Sequence, residues 1–409
     1  MAHRTKNPFV IGHPAGGANL ADRVPEVQRI TKALADPSGR LLLYGDRRLG
    51  KSSIIGEAAA QARAAKTPVI IVDLAKVTSV EGAAKAILEG LSTELGRRWK
   101  DIATSLVARF RSSRVQVGAQ PDLVGGLPTM TFSVTPSEEA EKEPGTLLVE
   151  TLDAVEKEIT SRGGSVGLAL DEFQRLAQWV PQLDWLLKGL FDHHRSVAYV
   201  LAGSQRSLID AMIANKQEGG LFKMVDVLPL GPIPPDLFAP WISERAMSTG
   251  VTFDARVARA LIAVAGPRTR DVVQLARRLW DVTHVSQRAT ITDVAVAMDD
   301  LVREQSAHHQ GTWDRLNSDT HRRSLTLIAA NPAIELTASS TLRRYRLGAK
   351  TTVDRTLKAL IRAEHVVALA GAHGIDDPFF RRWIEVNTFR EFNFPIPAVA
   401  DRVTDEALQ

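Results

Sequence analysis

The stretch Leu41-Leu42-Leu43-Tyr44-Gly45-Asp46-Arg47-Arg48-Leu49-Gly50-Lys51-Ser52-Ser53 leaves this chain few folds to choose from. An apolar run of strand length enters a loop with the spacing GxxxxGKS, and a helix-forming stretch from Ile54 to Ala64 follows at once. Gly45 and Gly50 let the backbone take unusual φ angles and come close to a ligand, because no Cβ is in the way. Successive N–H groups from Asp46 to Ser53, together with the positive end of the helix, then face an anion. At this spacing Lys51 reaches phosphate oxygens and the Ser52 hydroxyl is a ligand for Mg²⁺.

A second element about 120 residues on completes the pattern. Ser165-Val166-Gly167-Leu168-Ala169-Leu170 is an apolar run ending in Asp171-Glu172, the form of a Walker B strand paired with a Walker A loop. A carboxylate at the end of a buried strand organises the Mg²⁺ shell, which assigns that role to Asp171. Glu172, next to it, is placed to polarise a water and act as a general base.

Composition limits the alternatives. The chain has 409 residues, enough for two or three domains, and no cysteine, so disulfides and thiolate metal sites are excluded. No apolar run approaches the roughly 20 residues of a membrane span, and no hydrophobic signal core follows the basic N-terminus Met1-Ala2-His3-Arg4. The expectation is a cytoplasmic protein with no membrane partner. A net charge of +4 is too small to argue nucleic-acid binding globally, so the distribution of charge has to decide. His193-His194 and His308-His309 lack carboxylates at ligand spacing, which leaves Mg²⁺ as the metal to expect.

Strand candidates at 40–44, 68–73, 165–170, 197–202 and 225–229 alternate with helices at 51–64, 79–98, 146–160, 183–194 and 206–214, as α/β units do. Before them, 7–14 reads as an extended loop, Ala15 to Ala18 as flexible, and Asp22-Arg23-Val24-Pro25 as a helix start. An insertion over 100–145 carries a β-hairpin around the Gly125-Gly126-Leu127-Pro128 middle and an acidic linker at 138–144. From Pro234 to Gln305 the periodicity is helical, at 254–265, 270–284 and 292–304. Helix, helix, tight turn, helix and a short β-wing follow between Arg322 and Ile375, the layout of a winged helix-turn-helix. The expected domains are therefore a 1–230 P-loop NTPase α/β core, a 231–310 helical lid, a 311–395 winged helix and a frayed 396–409 tail.

In this order the parts resemble the AAA+/STAND superfamily of P-loop ATPases, especially the archaeal-type ATPase group and, more distantly, the origin-recognition ATPases. The residues that carry the resemblance are Ala21-Asp22-Arg23 with Glu26, the Gly45–Ser53 loop, Leu168-Ala169-Leu170-Asp171-Glu172-Phe173, Val200–Ser207, and Ile375–Ile384 with its Asp376-Asp377-Pro378-Phe379-Phe380 core. It implies an AAA+-like fold, ATP or ADP with Mg²⁺ as cofactors, ATP hydrolysis, and a homo-oligomer with sites between protomers. It also implies that Asp22 and Arg23 border the adenine, that Gln205 or Ser204 acts as sensor 1, and that Arg270, or alternatively Arg268, acts as sensor 2. Arg206 or Lys223 stands where a trans-acting finger is expected.

The winged helix is the second functional surface. Arg343, Arg344, Arg346, Lys350, Arg355, Lys358 and Arg362 place seven positive charges between 341 and 362 against Asp354. Arg343, Arg344, Lys350, Thr351, Arg355 and Lys358 are the candidate DNA contacts, with docking on protein as the alternative. Three functions remain open: a DNA-coupled ATPase switch, a slow ADP-holding signalling switch whose winged helix binds a partner effector protein, and a DNA-binding regulator whose nucleotide is structural.

Overall fold

Strands buried on both faces need a covering layer on each side, and this chain supplies both. The computed structural model describes residues 6–95, 110, 113–120, 129–136, 138, 143–204, 223–316, 318–369 and 371–403. The chain divides into two units, Gly12–Pro232 as the first and Met1–Ile11 with Ile233–Gln409 as the second.

The first unit runs α1 (Val24–Ala35), β1 (Arg40–Tyr44), α2 (Lys51–Ala64), β2 (Val69–Asp73), α3 (Val80–Leu95), a hairpin of β3 (Ser113–Gln120) and β4 (Thr129–Pro136), α4 (Pro144–Ser161), β5 (Val166–Asp171), α5 (Leu183–His193), β6 (Val197–Gly203) and β7 (Asp226–Pro229). Five strands form a parallel sheet in the order β2-β5-β6-β1-β7. Such sheets carry helices on both faces, so their strands read as continuous apolar runs rather than alternating ones. Every residue of β5 and β6 is buried. On one face α1 and α2 pack Val27, Ile30, Leu34, Ile54 and Ile55, with Ala58, Ala59 and Ala62 letting α2 sit close to the strands. On the other, α3, α4 and α5 cover the sheet, and Val115 and Phe132 bring the hairpin onto α3.

The expected hairpin is present, paired antiparallel from Ser113↔Pro136 to Gln120↔Thr129. Its Gly125–Pro128 middle, most of the acidic linker and the helix expected at 206–214 lie outside the described residues. The segment expected to be flexible at 15–18 is instead pinned. Gly17–Asn19 forms a 3-10 turn, the Ala15 N–H donates to Ser53 Oγ at 2.9 Å, and the Gly17 N–H donates to Glu57 Oε2 at 2.8 Å. Ser53 and Glu57 stand one helical turn apart and accept from a chain segment with no helical or strand pattern of its own, so periodicity gives no sign of it.

The second unit is helical up to its wing: α6 (Pro235–Met247), α7 (Ala255–Ala265), α8 (Thr269–Thr283), α9 (Ile291–Glu304), α10 (Ser306–Asp314), α11 (Asp319–Ala330), α12 (Ser339–Arg344), α13 (Lys350–Arg362), β8 (Val366–Leu369), β9 (Ala372–Ile375) and α14 (Pro378–Thr388). The N-terminal segment belongs here: Phe9 is fully buried, stacked on Phe253 at 6.0 Å and edge-on to Trp241 at 6.1 Å. Asn7 Nδ2 donates to the Arg277 carbonyl at 2.9 Å. Within the tail expected to fray, Val399–Arg402 instead forms a 3-10 turn.

Glu385 on α14 is fully buried and accepts from Arg381 Nε at 3.2 Å, Arg382 Nη1 at 3.4 Å and Arg402 Nη2 at 2.5 Å. Arg382 also donates to Asp299 Oδ1 on α9 at 2.8 Å, tying the winged-helix end to the preceding helices. Breaking a buried pair by removing one partner is far costlier than never having built it, because a buried charge is left without compensation. Glu385→Ala is expected to cost about 3 kcal/mol in urea denaturation, and Glu385→Gln, which keeps the volume and some of the hydrogen bonds, distinctly less.

Candidate nucleotide site

The register brings the candidate residues together. Tyr44 at the end of β1 pairs with Gly203, and Asp171 at the end of β5 pairs with Ala202, so β1, β5 and β6 finish side by side. In open α/β sheets, ligands bind beyond these carboxyl ends.

Gly50 has φ +96°, and a Cβ built there meets nothing, so its glycine character serves the left-handed backbone that opens α2. Gly45 has a further reason besides the close ligand approach expected of it. A Cβ there would lie 2.3 Å from the Leu230 carbonyl oxygen, so glycine is needed for close passage of the chain after β7. Arg48 is left-handed at φ 67° without being glycine, a conformation that costs about 1 kcal/mol.

Lys51 is buried, and its ammonium donates to the carbonyls of Gly45 and Asp46, both at 2.7 Å. Burial pushes its pKa down, and the carboxylates of Glu172 and Asp171 partly restore it. Among the described residues it has no ion pair. A buried, unpaired cation inside an N–H-lined loop fits a phosphate. Ser52 Oγ donates to Asp171 Oδ2 at 2.5 Å, and the other oxygen of Asp171 accepts from the Glu172 N–H at 3.0 Å. A hydroxyl and a carboxylate in contact are the hard oxygen donors that Mg²⁺ takes. Burial raises the Asp171 pKa, opposed by the Ser52 hydrogen bond.

Glu172 is also left-handed, at φ 55°, and its Oε2 accepts from Gln174 Nε2 at 2.5 Å and from Ser204 Oγ at 2.8 Å. Gln174 escapes the motif reading although it is buried, and its Oε1 has no partner among the described residues. The available signal is the sequence Asp171-Glu172-Phe173-Gln174, a polar residue two positions beyond the strand-end pair. Of the sensor 1 alternatives, Ser204 stands at the end of β6 against Glu172; Gln205 and Arg206 lie outside the described residues.

Arg23, left-handed and buried, spends its guanidinium within the protein, donating to Glu26 Oε1 at 2.9 Å and to the Gly231 carbonyl at 2.6 Å. Asp22 is half-buried beside it, and Lys223 is exposed. In the second unit, Arg268 is committed to both carboxylate oxygens of Asp376, while Arg270 is exposed at the start of α8, without an ion pair among the described residues.

Residues 308–386 match a family described as "Probable winged helix domain". A Walker-type ATPase of Pyrococcus abyssi superposes with a TM-score of 0.57 at 15% identity, covering 92% of this chain and 99% of that one. The ORC2 protein of Aeropyrum pernix, in its ADPNP–ADP complexes, superposes with a TM-score of 0.55 at 15% identity over 99% of both chains. The chain has the fold of a Walker-type, ORC-like ATPase with a C-terminal winged helix. No curated protein matches by sequence. Among the described residues, no helix is long and apolar enough to cross a membrane.

In this ATPase-like fold, the raised pKa of Asp171 has a definite sign. The folded protein holds that proton more tightly than the unfolded chain does, so ionising Asp171 removes stability as the pH rises past the ordinary carboxylate range. Asp171→Asn should therefore melt higher than the parent when nucleotide-free at neutral pH. The gain should disappear on acidification below the ordinary carboxylate range, as followed by thermal melts across pH. A lower melting temperature at neutral pH would contradict it.

Proposed function

We propose that this protein binds ATP with Mg²⁺ at the loop from Gly45 to Ser53, hydrolyses it, and couples the nucleotide state to homo-oligomerisation and DNA binding. The observation that carries the ATPase reading is the contact of Ser52 with Asp171 beside a buried Lys51 and the strand-end Glu172. Lys51 and the loop N–H groups hold phosphate oxygens; Ser52 and Asp171 hold the metal. When bound, the ion supplies neutralisation of phosphate charge. Glu172 accepts a proton from the attacking water, with Ser204 and Gln174 fixing its carboxylate. The A. pernix relative's complexes with ADPNP and ADP support adenine nucleotides as the class. Asp22 and Arg23 frame the base side, Arg270 is the lid sensor, and Arg206 or Lys223 is the finger offered to a neighbouring protomer.

DNA is the proposed partner of the winged helix, spanning 311–395 beyond a 231–310 lid. Thr351, Arg355, Lys358 and Arg362 recur at i, i+4, i+7 and i+11 on α13, all exposed, while Val353, Thr356 and Leu360 are buried on the opposite face. Lys350, Arg343 and Arg344 are exposed as well. Unpaired cations in one stripe on the third helix of a winged helix suit phosphate contacts along a groove.

One observation favours the slower, STAND-type switch as a second reading. Gln174 and Ser204 both donate to Glu172 Oε2, which engages one oxygen of that carboxylate within the protein and suits a slower base.

ATP hydrolysis with and without duplex DNA separates the two. Glu172→Gln should lower turnover by about 10²–10⁴-fold, the range for losing a general base. Arg355→Ala with Lys358→Ala should abolish stimulation by DNA and lower the slope of log affinity against log salt by about 2. Turnover indifferent to DNA, in protein that retains nucleotide, would establish the partner-protein switch instead.

A further inference from the structure

A cavity of about 710 Å³ opens in the second unit between α11, the turn after α12 and the segment after α14. That volume lies within the ~300–1,000 Å³ typical of small-molecule sites, far larger than a lone phosphate needs. Four arginines line it, Arg322, Arg323, Arg344 and Arg346, against two carboxylates, Asp319 and Glu391. Asp319 is taken up by Arg323, whose Nη2 and Nε donate to its Oδ2 at 3.0 and 3.2 Å. Arg322, Arg344 and Arg346 then stand against Glu391 alone, a net positive lining.

The other arginines are held loosely. Arg322 reaches the Trp313 and Asp314 carbonyls only at 3.4 and 3.5 Å, near the limit of a hydrogen bond. Arg344 lies over the Tyr345 ring at 5.4 Å. Arg346 is exposed and, among the described residues, forms no side-chain hydrogen bond or ion pair. Its backbone is left-handed at φ 50°, in a turn where glycine would be unstrained. That conformation closes α12, with the Arg346 N–H donating to the Arg343 carbonyl and the Leu347 N–H to the Leu342 carbonyl, and it leaves the Arg346 side chain lining the cavity. Opposite the guanidinium groups stand aromatic rings, with Phe392 stacked on Phe394 at 5.8 Å and Tyr345 6.0 Å from Phe394.

We propose that this cavity is a second nucleotide-binding site, in which Arg322 and Arg346 hold phosphate oxygens and the wall of Tyr345 and Phe392 receives the base. Guanidinium forks match phosphate geometry in pairs, and base–aromatic contact tolerates any base. The nucleotide is either free or one unit of a single strand. The cavity lies in the second unit, apart in sequence from the P-loop, and it shares only Arg344, at the end of α12, with the proposed DNA contacts.

The test uses the full chain carrying Lys51→Ala, which weakens the P-loop, titrated with mant-ADP and, separately, with a fluorescein-labelled oligothymidylate. At least one probe should bind, and Arg322→Ala and Arg346→Ala should each weaken it about tenfold or more, equal to about 1.4 kcal/mol. Whichever probe responds identifies the source. Arg390→Ala removes the same charge from an exposed neighbour outside the cavity wall and should change affinity less than about twofold. Arg346→Gly should weaken binding while raising the melting temperature, which excludes misfolding as the cause. Binding of neither probe, or equal losses in Arg390→Ala and Arg346→Ala, would overturn the proposal.

Discussion

The rest of the site depends on the parallel register of β1, β6 and β5. Parallel pairing with Tyr44 opposite Gly203 and Asp171 opposite Ala202 fixes three strand ends at one level. Each end then delivers its polar residues to the same place: Lys51 and Ser52 through the loop after β1, Asp171 and Glu172 from β5, and Ser204 from β6. A slip of one residue in such a sheet would carry every side chain to the opposite face, and both faces are filled. The packing of α1 and α2 below and α3 to α5 above therefore holds the chemistry in register as well as stabilising the fold.

That site is costly to the protein that carries it. Lys51 and Asp171 are both buried, and burial disfavours the charged form of each. Arg48 and Glu172 hold left-handed backbones without being glycine. Strain and poorly solvated charge are thus collected at one strand-end crevice, where perturbed groups of this kind point to function. The ordered sheet beneath supplies the stability that tolerates it.

In the second unit the organising interaction is electrostatic. Glu385, fully buried, gathers Arg381, Arg382 and Arg402, and Arg382 reaches on to Asp299. Arg268 and Asp376 make a second tie, from the start of α8 to the end of the wing. These pairs join helices on either side of residue 310, so the helical and winged portions move together to the extent that the pairs persist. They also engage Arg268 fully, which leaves Arg270 as the available guanidinium at that helix start.

Local sequence determined the elements and where the motif residues stand. Apolar runs, the GxxxxGKS loop and the strand ending in Asp-Glu were enough for the five strands, the helices around them, Lys51, Ser52, Asp171 and Glu172, because each rests on neighbours a few residues away. The winged layout was legible for the same reason, from helix periods and the glycines of the wing. Tertiary structure decided what depends on contacts between distant residues. The passage of Leu230 requires Gly45; Ser53 and Glu57 pin residues 15–17; Gln174 and Ser204 hold Glu172; Phe9 packs far along the chain against Phe253. The arginine cavity beside Tyr345 joins segments separated by tens of residues. No periodicity encodes such meetings, since they are fixed by how the layers close on one another.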